Sequence, residues 1–218
     1  MPLTHSDYTR SRVAHWDEIA RTRPAETWFS REYHSRLREI YRHLVSPGLA
    51  VLELGCGRGD LLAAVAPGRG VGVDFSAEML KAARQRHPNL TFIQTDAHTL
   101  RLYETFDVII LSDLVNDAYD VQAILENIRP LCRPDTRVIL NTYSRLHQPI
   151  LSLAGHLGLA TRLLPQNWLT PADTENLLRL AGFEVIHRLR EILLPLPIPL
   201  ARELCNQVLV KVWPFSLF

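Results

Sequence analysis

Apolar and aromatic side chains recur at spacings of three and four through Tyr33, Leu37, Ile40, Tyr41 and Leu44, which places them on one stripe of a helix. Ser46, Pro47 and Gly48 end that pattern. Beyond them the periodicity changes. Five short apolar runs, 50–54, 70–74, 91–94, 106–111 and 137–142, read as strands, and helical stretches at about 59–65, 77–87 and 118–129 lie among them. Strands alternating with helices require crossover connections, so a mainly parallel sheet is predicted. The unbroken run Val108, Ile109, Ile110 and Leu111 suits a strand covered on both faces.

A later helix is marked by its ends: Thr170 caps it, Pro171 takes its first position, Asp173 favours its positive end and Gly182 follows its last turn. Residues 183–193 alternate enough to predict a sixth strand, and 207–213 are the stretch left for a seventh, antiparallel one. Prolines exclude LPLPIPL (194–200) from any central strand. The expected fold is α/β: a Rossmann-like, doubly wound, mainly parallel sheet of six or seven strands with helices on both faces. Residues 1–47 are read as a helical N-terminal segment able to act as a lid, and 48–218 as the single main domain.

Composition narrows the function classes. A chain of 218 residues, 47% hydrophobic and 22% charged, suits one folded domain. A net charge of +1 without a long Lys/Arg run leaves no footprint for nucleic acid. Cys56, Cys132 and Cys205 are odd in number and form no C-x-x-C pair. Reduced thiols in a cytoplasmic protein are therefore expected, not disulfides or a zinc site, and no metal is expected. The N-terminus lacks the charged start and apolar block of a signal peptide, and no apolar run reaches the roughly 18 residues of a membrane span. The apolar stretch 208–218 leaves membrane-surface contact as a minor alternative.

The chemistry concentrates after the first strand. Gly55, Gly57 and Gly59 form a bare turn that a ligand can approach closely. Glu53 stands directly beside it, where its carboxylate would repel a pyrophosphate and suit a cationic ligand. The glycine spacing also departs from the dinucleotide fingerprint G-x-G-x-x-G. Asp74 follows 21 positions later. One strand–helix–strand unit returns it to the same sheet edge, where it would accept both hydroxyls of a ribose. The plainer alternative, that Asp74 caps the next helix, is weakened by Ser76, a good cap already.

The segments ELGCGRG (53–59), GVDFSAEM (72–79), TDA (95–97) and FDVIILSD (106–113) resemble, in order, the motifs of class I S-adenosylmethionine-dependent methyltransferases. The similarity covers roughly residues 48–190. The resemblance implies that Gly55, Cys56 and Gly57 lie along the methionine portion of S-adenosylmethionine, with Glu53 supporting its amino group. It implies that Asp74 binds the ribose, that Phe75 and Met79 flank the adenine, and that Asp96 and Ala97 meet its edge. Ser112, Asp113 and Leu114 would border the methyl-transfer site. The segment QNWLTPADTENLLRLAGF (166–183) resembles a narrower branch, often joined to or encoded beside family 2 glycosyltransferases. That branch implies a small-molecule or glycan-type acceptor and a glycosyltransferase as partner. Its members run further, so a truncated or separately encoded domain is expected.

Methyl transfer from a sulfonium needs the acceptor held in line with the methyl; a general base helps only where the acceptor must lose a proton. The candidates for such a base are His147 and Tyr143, after the fifth predicted strand, although a solvated loop histidine and an apolar wall are the plainer readings. His15, Trp16, Tyr33 and His34 would contribute to a lid or to an aromatic face on the sheet. His98 is expected at the surface, and Cys56 fits its turn by size, not as a nucleophile. A nicotinamide-dependent oxidoreductase and a non-catalytic cofactor-binding module are the alternatives; Glu53 opposes the first, and the intact carboxylates oppose loss of the cofactor site.

Overall fold

The computed structural model describes residues 4–22, 28–142 and 164–189. Two helices come first, α1 (His5–Thr22) and α2 (Trp28–Leu44). The alternating part follows as β1 (Ala50–Leu54), α3 (Asp60–Ala64), β2 (Arg69–Asp74), α4 (Ala77–Arg86), β3 (Thr91–Gln94) and β4 (Phe106–Ser112). Then come α5 (Leu114–Asp117), α6 (Val121–Ile128), a 3₁₀ turn at Arg129–Leu131, β5 (Cys132–Asn141) and α7 (Pro171–Leu180). The five strands run parallel in the order β3-β2-β1-β4-β5. The chain thus winds outward from β1 in one direction and restarts on its other side with β4.

Two apolar cores show why both faces of the sheet are covered. Leu52, Leu54, Val71, Val73, Ile109 and Leu111 pack on one face with Val121, Ile124, Leu125 and Ile128 of α6. Val51, Val108 and Ile110 pack on the other with Leu37 and Tyr41 of α2, Leu61 and Leu62 of α3 and Leu80 of α4. The period of two along each strand makes this division. Of the aromatic and apolar stripe predicted in α2, Leu37 and Tyr41 dock with Tyr33 and Leu44 at their margin, while half-buried Ile40 stands outside this core.

The caps of α7 form as predicted. Asp173 N–H donates to Thr170 Oγ1 and Thr170 N–H to Asp173 Oδ2, a reciprocal capping box. At the other end Gly182 takes φ 80°, and the N–H groups of Gly182 and Phe183 return to the carbonyls of Arg179 and Leu178.

Three expectations change. The helix predicted from about 118 begins instead at Val121, because Asp120 accepts from Ala123 N–H and caps it, and the short α5 before it was not predicted. β5 begins at Cys132, not 137: a register irregularity opposite Phe106 and Val108 accommodates Pro134, and Thr136 Oγ1 links Arg133 N–H to the Phe106 carbonyl. Among the described residues the sheet has five strands, and 183–189 pair with none of them; 190–193 and the predicted seventh strand at 207–213 lie outside the described residues. Among the described residues no helix is long and apolar enough to cross a membrane.

Candidate functional site

The carboxyl edge of the sheet opens between β1 and β4, where the strand order reverses; open α/β sheets form their clefts there. Alternation along β1 sends Leu52 and Leu54 to the first core, so Glu53 points the other way, under α3. Leu62 N–H donates to its carboxylate. The other oxygen, Oε2, is buried without a hydrogen-bond partner. Burial pushes Glu53 well above the usual carboxylate range, and the charges of Asp74, Asp60 and Asp113 add to the effect. An unsatisfied buried acceptor costs about 1–3 kcal/mol, a cost that a cation arriving at Oε2 would relieve.

The turn after Glu53 is pinned to β2, with Gly55 and Cys56 N–H both donating to the Val73 carbonyl at 2.8 and 3.0 Å. Gly57 takes φ 50°, and a Cβ built there would meet nothing within 4 Å; its main chain borders open space. Its N–H donates to Asp74 Oδ2 at 2.8 Å, while Ser76 N–H donates to Oδ1 at 2.8 Å. A carboxylate has about four acceptor positions, so each oxygen keeps capacity for a hydroxyl. Burial pushes Asp74 up to about 6, against the lowering effect of the Ser76 and Gly57 bonds. Ser76 caps α4 through Met79 N–H, as its type predicts. Cys56 is buried, and burial pushes its thiol up, away from nucleophilic use.

The β3 end lies next along the edge, because Thr95 N–H donates to the Asp74 carbonyl. Asp96 Oδ1 accepts from His98 N–H at 2.9 Å and lies 2.5 Å from His98 Nδ1, while Asp120 N–H donates to His98 Nε2. The Asp120 bond places the imidazole proton on Nδ1. Burial raises Asp96, but the bonds from His98 and Thr9 outweigh it and hold the acid at about 2. The side chain of His98, expected at the surface, is 12% exposed; pairing with Asp96 draws it in. His5, Asp96 and His98 bring ligand atoms within 4.8 Å of one another, a grouping not predicted, in which His98 is engaged by Asp96 and Asp120. Met79 and Ala97 are buried. The Ala97 side chain belongs to the first core, and Phe75 accepts through its carbonyl from Gln94.

Ser112, Asp113 and Leu114 form the β4 lip. A Cβ on Gly55 would lie 3.1 Å from Leu114 Cδ1, so this lip closes directly on the glycine turn. Asp113 has φ 56°, and its Oδ1 accepts from Tyr33 Oη at 2.7 Å and from Asn141 Nδ2.

Helix α1 crosses the edge above these strands. Thr9 donates to Asp96 Oδ2 at 3.0 Å, and Asp17 accepts from Ser76 Oγ at 2.5 Å and Glu78 N–H at 3.2 Å. Trp16 Nε1 donates to Asp117 Oδ2 at 2.8 Å, and buried Arg12 pairs with Asp117 Oδ1 at 2.6 Å. Arg12 also donates to Tyr8 Oη and to the Pro165 carbonyl. From below, Arg58 reaches the carbonyls of Ile19 and Ala20. Asn116 and Asn167 bond reciprocally and hold the chain after residue 164 against α5.

The fold thus brings Glu53, Gly55, Cys56, Gly57 and Asp74 together at β1 and β2, with Asp96 and Ser112–Leu114 at the flanking strand ends. His147 and Tyr143 lie outside the described residues. Reading the sequence missed Arg12, Asp17, Asp117 and Asn141. Only Asp117 and Asn141 carried a signal, as polar residues just beyond or at the end of an apolar strand.

Residues 45–174 match the model of a family described as "Methyltransferase domain". The chain is 31% identical over 164 residues to 2-phytyl-1,4-naphtoquinone methyltransferase of Thermosynechococcus vestitus, covering 63% of this chain and 73% of that protein. It is 32% identical over 137 residues to an uncharacterized 37.1 kDa protein in transposon TN4556 of Streptomyces fradiae. That match covers 59% of this chain but spans only 38% of the relative's length. In fold it resembles magnesium protoporphyrin IX methyltransferase of Synechocystis PCC 6803 with bound SAH. The TM-score is 0.62 at 22% identity, covering 83% of this chain and 88% of that one.

Proposed function

The chain belongs to the methyltransferase-domain family and has the class I S-adenosylmethionine-dependent methyltransferase fold, and from that premise we propose that it transfers the methyl group of S-adenosylmethionine to a small-molecule acceptor. The observation that carries this reading is the unpaired, buried Oε2 of Glu53 beside open main chain at Gly57. That arrangement suits the ammonium of the cofactor's methionine portion and opposes a pyrophosphate. Gly55, Cys56 and Gly57 would lie along that portion, and Asp74 would accept the ribose hydroxyls. Phe75 and Met79 would flank the adenine. Asp96, with Ala97 behind it, would accept from the exocyclic amine once Thr9 or His5 gives way, and Ser112, Asp113 and Leu114 would border the reacting methyl.

The bound cofactor supplies an electrophilic methyl on a positively charged sulfur. What remains for the protein is to hold the acceptor in line and keep water out. Helix α1, tied to the sheet edge by Thr9 and Asp17 and to α5 by Trp16 and Arg12, would act as the lid. The names of the relatives, a naphthoquinone and a magnesium protoporphyrin methyltransferase, support a small molecule as acceptor. A glycan-type acceptor and a glycosyltransferase partner are narrower readings, supported only by the resemblance of residues 166–183.

Thermal-shift titration with S-adenosylmethionine, S-adenosylhomocysteine, NAD and NADP tests the reading. The first two are expected to stabilise the protein, by about 2.7 kcal/mol at a hundred times Kd, and the nicotinamide nucleotides to have no effect. Stabilisation by NAD or NADP alone, or by none of the four, contradicts it.

The raised acid of Asp74 adds a pH signature. Only the ionised carboxylate accepts from both ribose hydroxyls, so protons compete with the cofactor below about 6. Affinity for S-adenosylhomocysteine is expected to fall about tenfold per pH unit below that value and to level above it. Calorimetric titration between about pH 5 and 7.5 reads this; a flat profile contradicts the contact. The same shift acts oppositely on the ligand-free fold. Its folded acid lies above the ordinary 3.8, so ionisation costs stability as pH rises through about 6.

A further inference from the structure

Asp113 is held more firmly than a border residue of the cofactor pocket requires. It follows β4 immediately, at the point where the strand order reverses, and faces the β1 turn across the contact between Leu114 and Gly55. Two donors from different elements converge on one of its oxygens, Tyr33 Oη from α2 and Asn141 Nδ2 from the end of β5. Asn141 is itself oriented, because Tyr41 Oη donates to its Oδ1 at 2.9 Å and leaves the amide nitrogen turned to Asp113. Burial, with Asp113 and Glu53 nearby, pushes the Tyr41 phenol well above its ordinary value, so Tyr41 remains a donor. Two elements, α2 and the end of β5, thus hold one oxygen of a carboxylate on the β4 lip, and the left-handed backbone of Asp113 sets its direction.

Resting on the methyltransferase reading, we propose that Asp113 is the acceptor-facing carboxylate, which binds an acceptor through a proton-bearing heteroatom, O–H or N–H, and takes that proton during transfer. As the acceptor atom bonds to the methyl carbon, the carbon–sulfur bond breaks and its electron pair stays on sulfur, leaving a neutral thioether. The acceptor's proton passes to Asp113 and then to water, and nothing is oxidised or reduced. Tyr33 and Asn141 are positioning residues, acting through the carboxylate they hold.

Sinefungin tests this without knowledge of the acceptor. It carries a protonated amine on carbon in place of the sulfonium methyl, so it projects an N–H cation toward the acceptor side, whereas S-adenosylhomocysteine projects nothing there. Calorimetric Kd values for both ligands are measured on the full chain and on Asp113→Asn and Tyr33→Phe. Asparagine tolerates the left-handed backbone, and phenylalanine removes one hydroxyl. Asp113→Asn is expected to weaken sinefungin about tenfold or more while S-adenosylhomocysteine stays within about twofold. Tyr33→Phe is expected to shift sinefungin selectively by a smaller factor, which a merely structural loss would not do. Equal weakening of both ligands, or no change in sinefungin binding, overturns the proposal. Wild-type protein that binds neither ligand overturns the methyltransferase reading and this one with it; wild type that binds S-adenosylhomocysteine with no selective sinefungin loss overturns this one alone.

Discussion

Replacing Asp74 with alanine is expected to abolish measurable binding of S-adenosylhomocysteine while leaving the protein folded. Hydrogen bonds to a charged acceptor contribute about 1.5–3 kcal/mol each, so losing two ribose contacts weakens affinity by at least about a hundredfold. The stability change is small because two effects oppose. The variant loses the bonds that Gly57 and Ser76 N–H make to the carboxylate, but it also loses a buried acid whose ionisation at neutral pH is unfavourable. Calorimetry and thermal unfolding on the same preparation separate the two. Full affinity in the variant would remove Asp74 from the ribose, and an unfolded variant would make its role structural.

The second large effect is expected from Arg12→Ala. Arg12 is 3% exposed, joins α1 to Asp117 and to the chain at Pro165, and donates to Tyr8 within the helix. Its guanidinium also lies 4.4 Å over the Tyr8 ring. Truncating one partner of a buried ion pair typically costs about 3–5 kcal/mol, because the other charge stays behind. Burial already pushes Asp117 up, against the bonds from Trp16 and Arg12 that lower it. Other ties of α1 to the sheet edge, through Thr9, Asp17 and the carbonyls that Arg58 reaches, are hydrogen bonds, so the loss is expected to appear as local undocking. Amide exchange in His5–Thr22 should accelerate about a hundredfold or more, while β1, β2 and β4 keep their protection. Unchanged exchange in α1 would contradict its placement as a docked lid, and loss of protection throughout would make it part of the global fold.

The alternating core was legible because burial on both faces leaves an unmistakable apolar run. Val108 to Leu111 could be nothing but an interior strand, and Glu53 stood out as the acid interrupting such a run. The capped ends of α7 were legible for a local reason, since Thr170, Asp173 and Gly182 bond within their own turns. What the sequence hid depends on distant partners. Arg12 sits in a polar segment and reads as a surface cation until Asp117, more than a hundred residues on, is brought beneath it. His98 reads as a surface residue for a related reason: one of its partners, Asp96, is two residues away, but the other, Asp120, is 22 residues on and reaches it only through the fold. The start of α6 turned on whether Asp120 would belong to the helix or cap it, a choice that propensity leaves open. Asp113 was placed by its strand, but Tyr33 and Asn141, which give it a direction, come from α2 and the end of β5, 108 residues apart.

The central claim is that two buried carboxylates, Glu53 and Asp74, grip a cationic nucleoside at a bare glycine turn. A crystal structure of the protein with S-adenosylhomocysteine tests it most directly. The account predicts ribose hydroxyls within hydrogen-bond distance of both Asp74 oxygens, the amino group reaching Glu53 directly or through one water, and adenine stacked toward Asp96. A ligand bound elsewhere, or bound at this edge with its carboxylate against Glu53, would contradict it.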